Sequence, residues 1–317
     1  MTGPVVLVGE TLVSLTGAPD RPLDRGSTLD LTFAGAEVNV AIGLIRLGHP
    51  VRWASVVGDD LFGRMVVRGL RGEGVDVSAV QTSKAGPTAL MVKNHRPGGE
   101  PEVFYYRRGS AMSQASKSTF SDAVWQDAQV LYLTGITPAL SPSCREMVLE
   151  LAHKAHQAGI PIWLDPNHRR KLWSDDEARQ TLFELLPLAD VVLTGLGEGV
   201  MLTGTSDPAF IGQRLLESGA ANVIVKAGEQ GTWYFANEET LHALAFPLER
   251  IIDPVGAGDG FAAGVLSARL EGLPWKDALI RGNALGAMVC LTRGDWEGLP
   301  TWSELDDFLA QKRDAVR

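Results

Sequence analysis

The chain has 317 residues, of which 45% are hydrophobic and 21% charged, a composition typical of a globular protein with a substantial buried core. Its formal net charge of −9 argues against a nucleic-acid backbone or an anionic membrane as the main partner, because either would repel the protein. Cys144 and Cys290 are far apart in sequence and form neither a metal-binding spacing nor a disulfide framework. The chain carries no signal-peptide pattern and no apolar run long enough for a membrane span, so we expect a cytoplasmic protein with a small-molecule partner.

Short apolar runs rich in Val, Leu and Ile alternate with longer helical patterns, as in βαβ units around a buried parallel sheet. The predicted strands are Val5–Gly9, Val51–Val56, Val130–Thr134, Pro161–Asp165, Val191–Thr194, Val223–Lys226 and Thr232–Phe235. The predicted helices are Ala36–Leu47, Leu61–Gly72, Ser143–Ala158, Asp175–Leu185, Pro208–Ser218, Gly258–Leu270, Trp275–Leu291 and Ser303–Arg313. We therefore predict an α/β fold with a central, mostly parallel sheet flanked by helices.

Two regions interrupt this alternation. One is Ser14–Phe33, and the other is the pair Ala89–His95 and Val103–Arg107, which the turn Arg96–Glu100 joins as in a hairpin. Strands outside the α/β alternation need a surface on which to pack. We predict a small β lid, formed by about residues 10–33 and 89–110, within one domain that covers residues 1–317.

The stretch Asp253–Gly264 reads DPVGAGDGFAAG and combines a glycine-rich turn with the start of an apolar helix. Gly256 and Gly258 give the backbone the freedom to point consecutive N–H groups, those of Gly256, Ala257 and Gly258, at one anion. This anion would lie at the positive end of the helix. Asp259, in the first turn, can accept the proton of an attacking hydroxyl while this backbone cradle binds a phosphoryl group. We expect the helix dipole to keep Asp259 ionised at neutral pH. A shorter motif would equally fit a glycine-rich turn with a helix-capping aspartate.

The stretch Gly35–Ala41 reads GAEVNVA and opens a predicted helix. Gly35 lies where its N–H can face a ligand, and Asn39, one turn later, can bind a hydroxyl through its amide. Spacing alone slightly favours the alternative, a capped helix with Asn39 on its polar side.

Positive charge gathers in two clusters, Tyr105–Ala111 and Asn167–Lys171, against the acidic trend of the chain. Anionic ATP is one explanation, and a substrate carboxylate held by a guanidinium group is another. For Arg108, Arg170 and Lys171 we favour a solvated face or a subunit contact.

The motifs resemble the two signatures of the ribokinase/PfkB carbohydrate kinases. Asp253–Gly264 resembles the C-terminal signature, and Gly35–Ala41 with Val57–Gly63 is similar to the N-terminal one. The resemblance implies a ribokinase-like fold, ATP as the phosphoryl donor and Asp259 as the catalytic base. It further implies an anion hole at Gly256, Ala257 and Gly258, and sugar contacts from Gly35 and Asn39.

Three further stretches are similar to the 2-keto-3-deoxygluconate kinases of this family: Val103–Ala111, Thr134–Ser141, and Leu164–Asn167 followed by Arg169. This similarity implies that Tyr105, Arg107 and Arg169 surround an acid sugar. A neutral hexose would leave these two arginines unpaired. The site should therefore favour an acid sugar over a neutral hexose by a factor of roughly 10²–10⁴. One departure is Met91, at a position where such kinases can carry Tyr, and it suggests a relaxed preference that includes the galactonate epimer.

The candidate nucleotide-binding segment is Val223–Gly231, a predicted strand that ends in a glycine-rich turn. The resemblance implies nucleotide contacts from Lys226, Gly228 and Gly231, and places Asn283 beside the adenine, although a polar helix position explains Asn283 equally well. The family's Asn-x-x-Glu motif for Mg²⁺ appears with Gly195 in place of Asn, so that Glu198 is either a magnesium-site residue or an ordinary exposed glutamate.

The resemblance leaves a monovalent cation open and suggests a homo-oligomer that pairs through its lids. Two other functions remain open at this stage. One is a fructokinase or ribokinase that acts on a neutral sugar, and the other is a catalytically weak sugar- or nucleotide-binding regulator.

Overall fold

The computed structural model of the protein describes residues 3–19, 21–95 and 102–314. The predicted turn Arg96–Glu100 lies outside the described residues. The strands are Val5–Val8 (β1), Leu12–Gly17 (β2), Leu29–Ala34 (β3), Val51–Gly58 (β4), Val80–Ser83 (β5), Leu90–Asn94 (β6), Glu102–Tyr106 (β7), Val130–Thr134 (β8), Ile162–Asp165 (β9), Val191–Gly195 (β10), Asn222–Lys226 (β11), Thr232–Phe235 (β12) and Thr240–Ala243 (β13). The helices are Ala36–Arg46 (α1), Leu61–Gly72 (α2), Ile136–Ala139 (α3), Pro142–Gln157 (α4), Asp175–Leu185 (α5), Leu196–Thr203 (α6), Pro208–Glu217 (α7), Ala257–Leu270 (α8), Trp275–Val289 (α9) and Trp302–Asp314 (α10).

The main sheet of the described residues has the strand order β13-β12-β11-β10-β9-β8-β1-β4-β5. The pairs from β11 to β5 are parallel, and β12 and β13 add an antiparallel edge. The predicted mostly parallel sheet is therefore confirmed. Strands β5 and β13 were missed, because they are short edge strands of mixed polarity that lack a buried apolar run.

Helices cover both faces of the sheet, and successive residues of β1 point to opposite layers. Val5 and Leu7 pack into the core formed with α1, α8, α9 and α10, whereas Val6 and Val8 pack into the core formed with α4, α5 and α7. All eight predicted helices are present. Two helices were not predicted: α3 has only four residues, and the glycines of α6 lower its helix propensity. Among the described residues, no helix is both long and apolar enough to cross a membrane.

A second sheet forms the predicted lid, with the strand order β3-β2-β6-β7. In its central row Thr32 pairs with Ser14, Ser14 with Met91, and Met91 with Tyr105. Residues paired in register share one face of a sheet, so Met91 and Tyr105 are neighbours on the same face. Met91 is buried, which places this face against the body of the protein.

Helices α1 and α8 pack unusually closely, because small residues lie at their contact. A Cβ added to Gly43 would lie 2.7 Å from the Ala263 Cβ, so a side chain at this position would push the helices apart. Asn39 and Asp259 lie four residues earlier on the two helices, which is one turn on each. The packing therefore brings the two predicted site residues together at the start of both helices.

Candidate active site

Asn39 and Asp259 form a direct, buried hydrogen bond. Asn39 Nδ2 donates to Asp259 Oδ2 at 2.7 Å, and both side chains are less than a tenth exposed. Asn39 Oδ1 is buried and accepts no hydrogen bond within the described part of the chain. The amide thus orients the carboxylate and has one acceptor without a protein partner, and its burial contradicts the placement of Asn39 on a polar helix face.

Gly256, Ala257 and Gly258, which we predicted to form an anion hole, lie at the start of α8, but the N–H of Ala257 donates to the Pro254 carbonyl at 3.2 Å and is not available to an anion. Gly256 adopts a left-handed φ of 80°, and a Cβ there would lie 2.0 Å from the carbonyl oxygen of Asp295. No side chain caps the helix, and the N–H groups of Gly258 and Asp259 have no acceptor among the described residues. Uncapped N–H groups at a helix start form an anion site.

The structure corrects our expectation about the protonation of Asp259. Burial raises the pKa of Asp259 to about 7, although the Asn39 hydrogen bond and the positive charge of Arg169 act in the opposite direction. Removal of the carboxylate from water therefore outweighs the contacts that favour its charged form. A base with this pKa is half ionised at neutral pH and binds a proton more strongly than an ordinary aspartate.

A second charged group lies beside the anion hole, at the carboxyl ends of β9, β10 and β11. Lys226 Nζ donates to Asp165 Oδ2 at 2.8 Å, and it lies 3.7 Å from where a Cβ of Gly258 would be. Burial alone would lower the pKa of Lys226, but Asp165 and Glu198 outweigh it and raise the pKa, so the ammonium stays charged. Asp165 was given no role from the sequence. A carboxylate at the carboxyl end of a buried strand was the signal that could have found it.

Glu198 is not the exposed glutamate that we kept as an alternative. It is partly buried and accepts hydrogen bonds from the N–H groups of Gly195, at 2.6 Å, and His168, at 3.1 Å. Burial and the nearby charge of Asp165 raise its pKa. The described residues contain no group of three or more metal-ligand side chains. Glu198 and Asp165 are neighbouring carboxylates, and two such oxygen ligands fit a magnesium ion held mainly by phosphates and water.

Arg107 lies at the end of lid strand β7 and forms a buried ion pair that the sequence analysis missed. Its Nε donates to Glu10 Oε2 at 2.8 Å, and its Nη2 lies 2.7 Å from the same oxygen. Ser110 Oγ donates to Glu10 Oε1. The expectation of two unpaired arginines is therefore wrong for Arg107, because Glu10 neutralises it.

The other predicted acid-sugar residues remain accessible. The side chain of Arg169 is exposed and has no hydrogen bond or ion pair within the described ranges, and its charge acts on Asp259. The Tyr105 ring is 41% exposed and lies 6.0 Å from the Arg107 guanidinium. Lys171, which we assigned to a solvated face or a subunit contact, instead donates to the Val103 carbonyl at 2.8 Å and so ties the lid to the body.

Two other members of the basic clusters are surface residues. Arg108 is exposed, and Arg170 pairs with Asp175 at 3.3 Å on the protein surface. These positions agree with the solvated face that we favoured for them.

The predicted nucleotide loop follows β11. Gly228 and Gly231 have φ values of 55° and 88°, which glycine adopts at little cost. A Cβ at Gly228 would meet no atom within 4 Å, so its backbone is open to a ligand, whereas one at Gly231 would clash with the Ala243 carbonyl at 2.1 Å. Gly231 is thus needed for packing, and its contact with nucleotide stays a prediction.

Asn283 is a buried residue of α9. Its Nδ2 donates to the carbonyls of Ala243 and Leu244, at 3.2 and 3.0 Å, and its Oδ1 accepts from Thr232 Oγ1 at 3.3 Å. The amide fixes the segment after β13, and any role beside an adenine would act through the position of that segment.

Glu37, in the first turn of α1, is a further buried carboxylate, and no role was predicted for it from the sequence. It is fully buried, accepts from Thr134 Oγ1 at 2.7 Å and Thr137 Oγ1 at 3.1 Å, and approaches Gly9 closely enough to exclude a side chain there. Burial raises its pKa. A short sequence pattern gives no signal for this contact between distant elements.

An α/β fold with a lid, an uncapped helix start and a buried carboxylate together define a sugar-kinase architecture. Comparison with protein families agrees, because residues 3–302 match the pfkB family of carbohydrate kinases. The chain belongs to this family and is a carbohydrate kinase.

Individual relatives are similar over nearly their whole length. The chain is 39% identical to a 2-dehydro-3-deoxygluconokinase of Bacillus subtilis, with 97% of this chain and 96% of the relative covered. It is 30% identical to a 2-dehydro-3-deoxygalactonokinase of Haloferax volcanii, with 93% of each covered. Among solved structures, a putative ribokinase II of Escherichia coli in complex with ATP and Mg²⁺ superimposes with a TM-score of 0.90 at 27% identity, covering 98% of this chain and 99% of that one.

Proposed function

We propose that this kinase transfers the γ-phosphoryl group of ATP to the terminal hydroxyl of 2-keto-3-deoxygluconate or its galactonate epimer, with Asp259 as the general base. The observation that carries the proposal is the pairing of Asn39 with Asp259 beside the uncapped start of α8. The names of the relatives in Bacillus subtilis and Haloferax volcanii support this substrate class.

The geometry supports a short sequence of steps. The ionised Asp259 accepts the proton of the sugar hydroxyl as its oxygen forms a bond to the γ-phosphorus and the bond from that phosphorus to the β-phosphate oxygen breaks. Asn39 holds the accepting carboxylate through Nδ2 and has Oδ1 free for the sugar. The N–H groups of Gly258 and Asp259 bind the phosphoryl oxygens, and the ammonium of Lys226 lies close enough to offset their charge.

Sugar recognition uses the lid and the loop after β9. Gly35 packs against the Glu10 backbone, so closely that a Cβ would lie 2.7 Å from its carbonyl oxygen, and we assign its N–H to the sugar. Arg169 is the unpaired positive charge near Asp259, and we assign it the substrate carboxylate. Tyr105 and Arg107 complete the lid side of this site.

The cofactors that we propose are ATP and Mg²⁺. The metal ion neutralises charge on the phosphate oxygens when it is bound, and Glu198 with Asp165 is the pair that would hold it, partly through water. Lys226 and the backbone of Gly228 and Gly231 are assigned to the nucleotide. A requirement for a monovalent cation stays a prediction.

A neutral hexose such as fructose is the second candidate substrate. The observation that favours it is the ion pair between Arg107 and Glu10, which lowers the positive charge available to an acid sugar. A binding regulator without catalysis is disfavoured, because it would have no need to bury a carboxylate whose pKa is raised to about 7.

The test is ATP-dependent ADP release with Mg²⁺ against 2-keto-3-deoxygluconate, 2-keto-3-deoxygalactonate, fructose, ribose and no sugar. We expect the keto acids to have kcat/KM values at least about tenfold above those of the neutral sugars, since a charged hydrogen bond contributes about 1.5–3 kcal/mol. A preference for fructose or ribose would overturn the acid-sugar assignment. No ADP release with any of these sugars would overturn the proposed activity on this set of substrates.

Met91 sets a further proposal about epimer preference. It is buried and pairs with Tyr105 in the lid, where it supplies no hydroxyl to the sugar. We expect Met91→Tyr to widen the difference in kcat/KM between the two epimers, and an unchanged ratio would remove this explanation.

We also propose that two lids pair in a homo-oligomer. The outer face of the lid carries a row formed by Leu31, Leu15, Val92 and Phe104, in which Leu31 is 50% and Phe104 43% exposed. Apolar rows of this kind mark association surfaces. Light scattering of wild type and Leu31→Asp tests this, since a monomer in both would refute it.

A further inference from the structure

The ion pair between Glu10 and Arg107 joins the body of the protein to its lid. Glu10 follows β1 of the main sheet, and Arg107 follows β7 of the lid. Glu10 is 3% and Arg107 8% exposed. A buried pair of this kind constrains geometry strongly, because loss of either partner leaves an uncompensated charge.

The contact uses only one edge of the guanidinium group. Arg107 Nε and Nη2 both approach Glu10 Oε2, at 2.8 and 2.7 Å. A guanidinium offers two edges for a carboxylate, and the second edge combines Nη1 with the remaining hydrogen of Nη2. Nη1 donates to no acceptor in the part of the chain that the structure describes, and Nη2 is buried without an aligned hydrogen bond. The second edge therefore has no acceptor within the described part of the chain.

The carboxylate of Glu10 is itself held in place. Ser110 Oγ donates to its other oxygen, Oε1, and the backbone of Glu10 packs against Gly35, the residue before α1. Glu10 thus connects the loop that contacts the sugar with the arginine of the lid.

We propose that Glu10 is a positioning residue for acid-sugar recognition, which holds Arg107 so that its free guanidinium edge binds the substrate carboxylate. The inference rests on the proposed acid-sugar function. Without a substrate, Glu10 cancels the charge of Arg107, so that the arginine is kept buried and in place. With a substrate, the guanidinium bridges two carboxylates.

If the ion pair lies beside the substrate carboxylate, removal of Arg107 should affect substrate binding in a way that a merely structural ion pair would not. When Arg107 is removed, Glu10 stays behind as a bare carboxylate close to the anionic substrate. Like charges about 6 Å apart repel by an amount equivalent to about 10–100-fold in affinity at effective dielectric constants of about 20–40. Neutralising Glu10 should therefore improve an enzyme that lacks Arg107.

The experiment is a double-mutant cycle of Glu10→Gln and Arg107→Ala, measured with 2-keto-3-deoxygluconate and with fructose. We expect Glu10→Gln alone to raise KM for the keto acid about threefold to tenfold with kcat changed less than about threefold, because only positioning is lost. Arg107→Ala alone should raise KM more. The double variant should have a KM for the keto acid at least about threefold below that of Arg107→Ala, with no such recovery for fructose.

A matched control loosens the lid elsewhere. Thr32 Oγ1 donates to Glu297 Oε1 at 3.0 Å, a lid contact that involves neither Glu10 nor Arg107. Thr32→Val should leave KM for the keto acid within about twofold of wild type, since a neutral-to-charged contact at an exposed position contributes little. An equal rise in Thr32→Val and Glu10→Gln would overturn the inference.

The remaining outcomes are also decisive. A double variant no better than Arg107→Ala, or a recovery that is equal for fructose, would refute a role of Glu10 toward the substrate charge. If Arg107→Ala does not fold, Arg107→Gln takes its place in the same cycle, and the KM of Glu10→Gln alone still tests the positioning. If wild type rejects keto acids, the proposed function fails; if wild type accepts them and recovery is absent, only the Glu10 inference fails.

Discussion

Replacement of Asp259 by Asn should stabilise the protein, and the gain should grow with pH. Burial raises the pKa of this carboxyl from 3.8 to about 7, so the native state holds a proton that the unfolded chain has lost. Stability from this group is complete below the unfolded pKa near 3.8 and is lost as pH rises through the folded pKa near 7. A shift of this size corresponds to roughly 4 kcal/mol once the group is ionised.

The prediction is tested by comparing the free energy of unfolding of the two proteins at pH 5 and at pH 8. From pH 5 to pH 8, the advantage of Asp259→Asn over wild type should rise by roughly 2.5 kcal/mol in the free energy of unfolding. The substituted amide would keep an oxygen that can accept the hydrogen bond from Asn39, so that packing changes little. Urea titrations followed by tryptophan fluorescence at both pH values measure this free energy.

The matched control is Asp306→Asn, an exposed aspartate on α10. Its free energy of unfolding should follow that of wild type within about 0.5 kcal/mol at both pH values. If Asp259→Asn also follows wild type at both values, burial does not raise the pKa of Asp259, and the reasoning about its basicity is wrong.

Three other predictions concern activity. The kcat/KM of wild type for a keto acid should fall about tenfold per pH unit below the Asp259 pKa of about 7, because the base must be ionised, and a flat profile from pH 5 to 8 would count against it. Arg169→Ala should lower kcat/KM about 10–100-fold for a keto acid but less than about threefold for fructose, whereas the exposed Arg108→Ala should change neither. Gly256→Ala should lower kcat at least about 100-fold, because its Cβ would lie 2.0 Å from a carbonyl oxygen. In the control Gly228→Ala the Cβ meets no atom within 4 Å, so kcat should fall less than about tenfold. Equal losses of kcat in initial-rate assays would contradict the geometry of the anion hole.

The sequence predicted the elements that periodicity and glycine patterns encode. The apolar runs located six strands of the parallel part of the sheet and its antiparallel neighbour β12. The predicted helices Leu61–Gly72 and Asp175–Leu185 match the observed ones to the residue. The short strands Val80–Ser83 and Thr240–Ala243 were missed, because an edge strand is defined by its partner rather than by its own composition.

The site was predictable in its residue types but not in its electrostatics. Asn39 and Asp259 each belonged to a recognisable motif, but their hydrogen bond depends on the close packing of two helices at Gly43. The raised pKa of Asp259 and the pairing of Glu10 with Arg107 arise from burial and from contacts between distant segments. Local sequence carries little information about either effect.

The most direct test compares wild type with Asp259→Asn, using 2-keto-3-deoxygluconate and ATP. Coupled ADP release gives turnover, and calorimetric titration of the sugar gives its affinity. We predict that Asp259→Asn lowers turnover at least about 100-fold while the dissociation constant for the sugar changes less than about threefold, because the carboxylate acts on the proton in the transition state. Turnover equal to wild type, or loss of sugar binding in step with the loss of turnover, would contradict the assignment of Asp259 as the catalytic base.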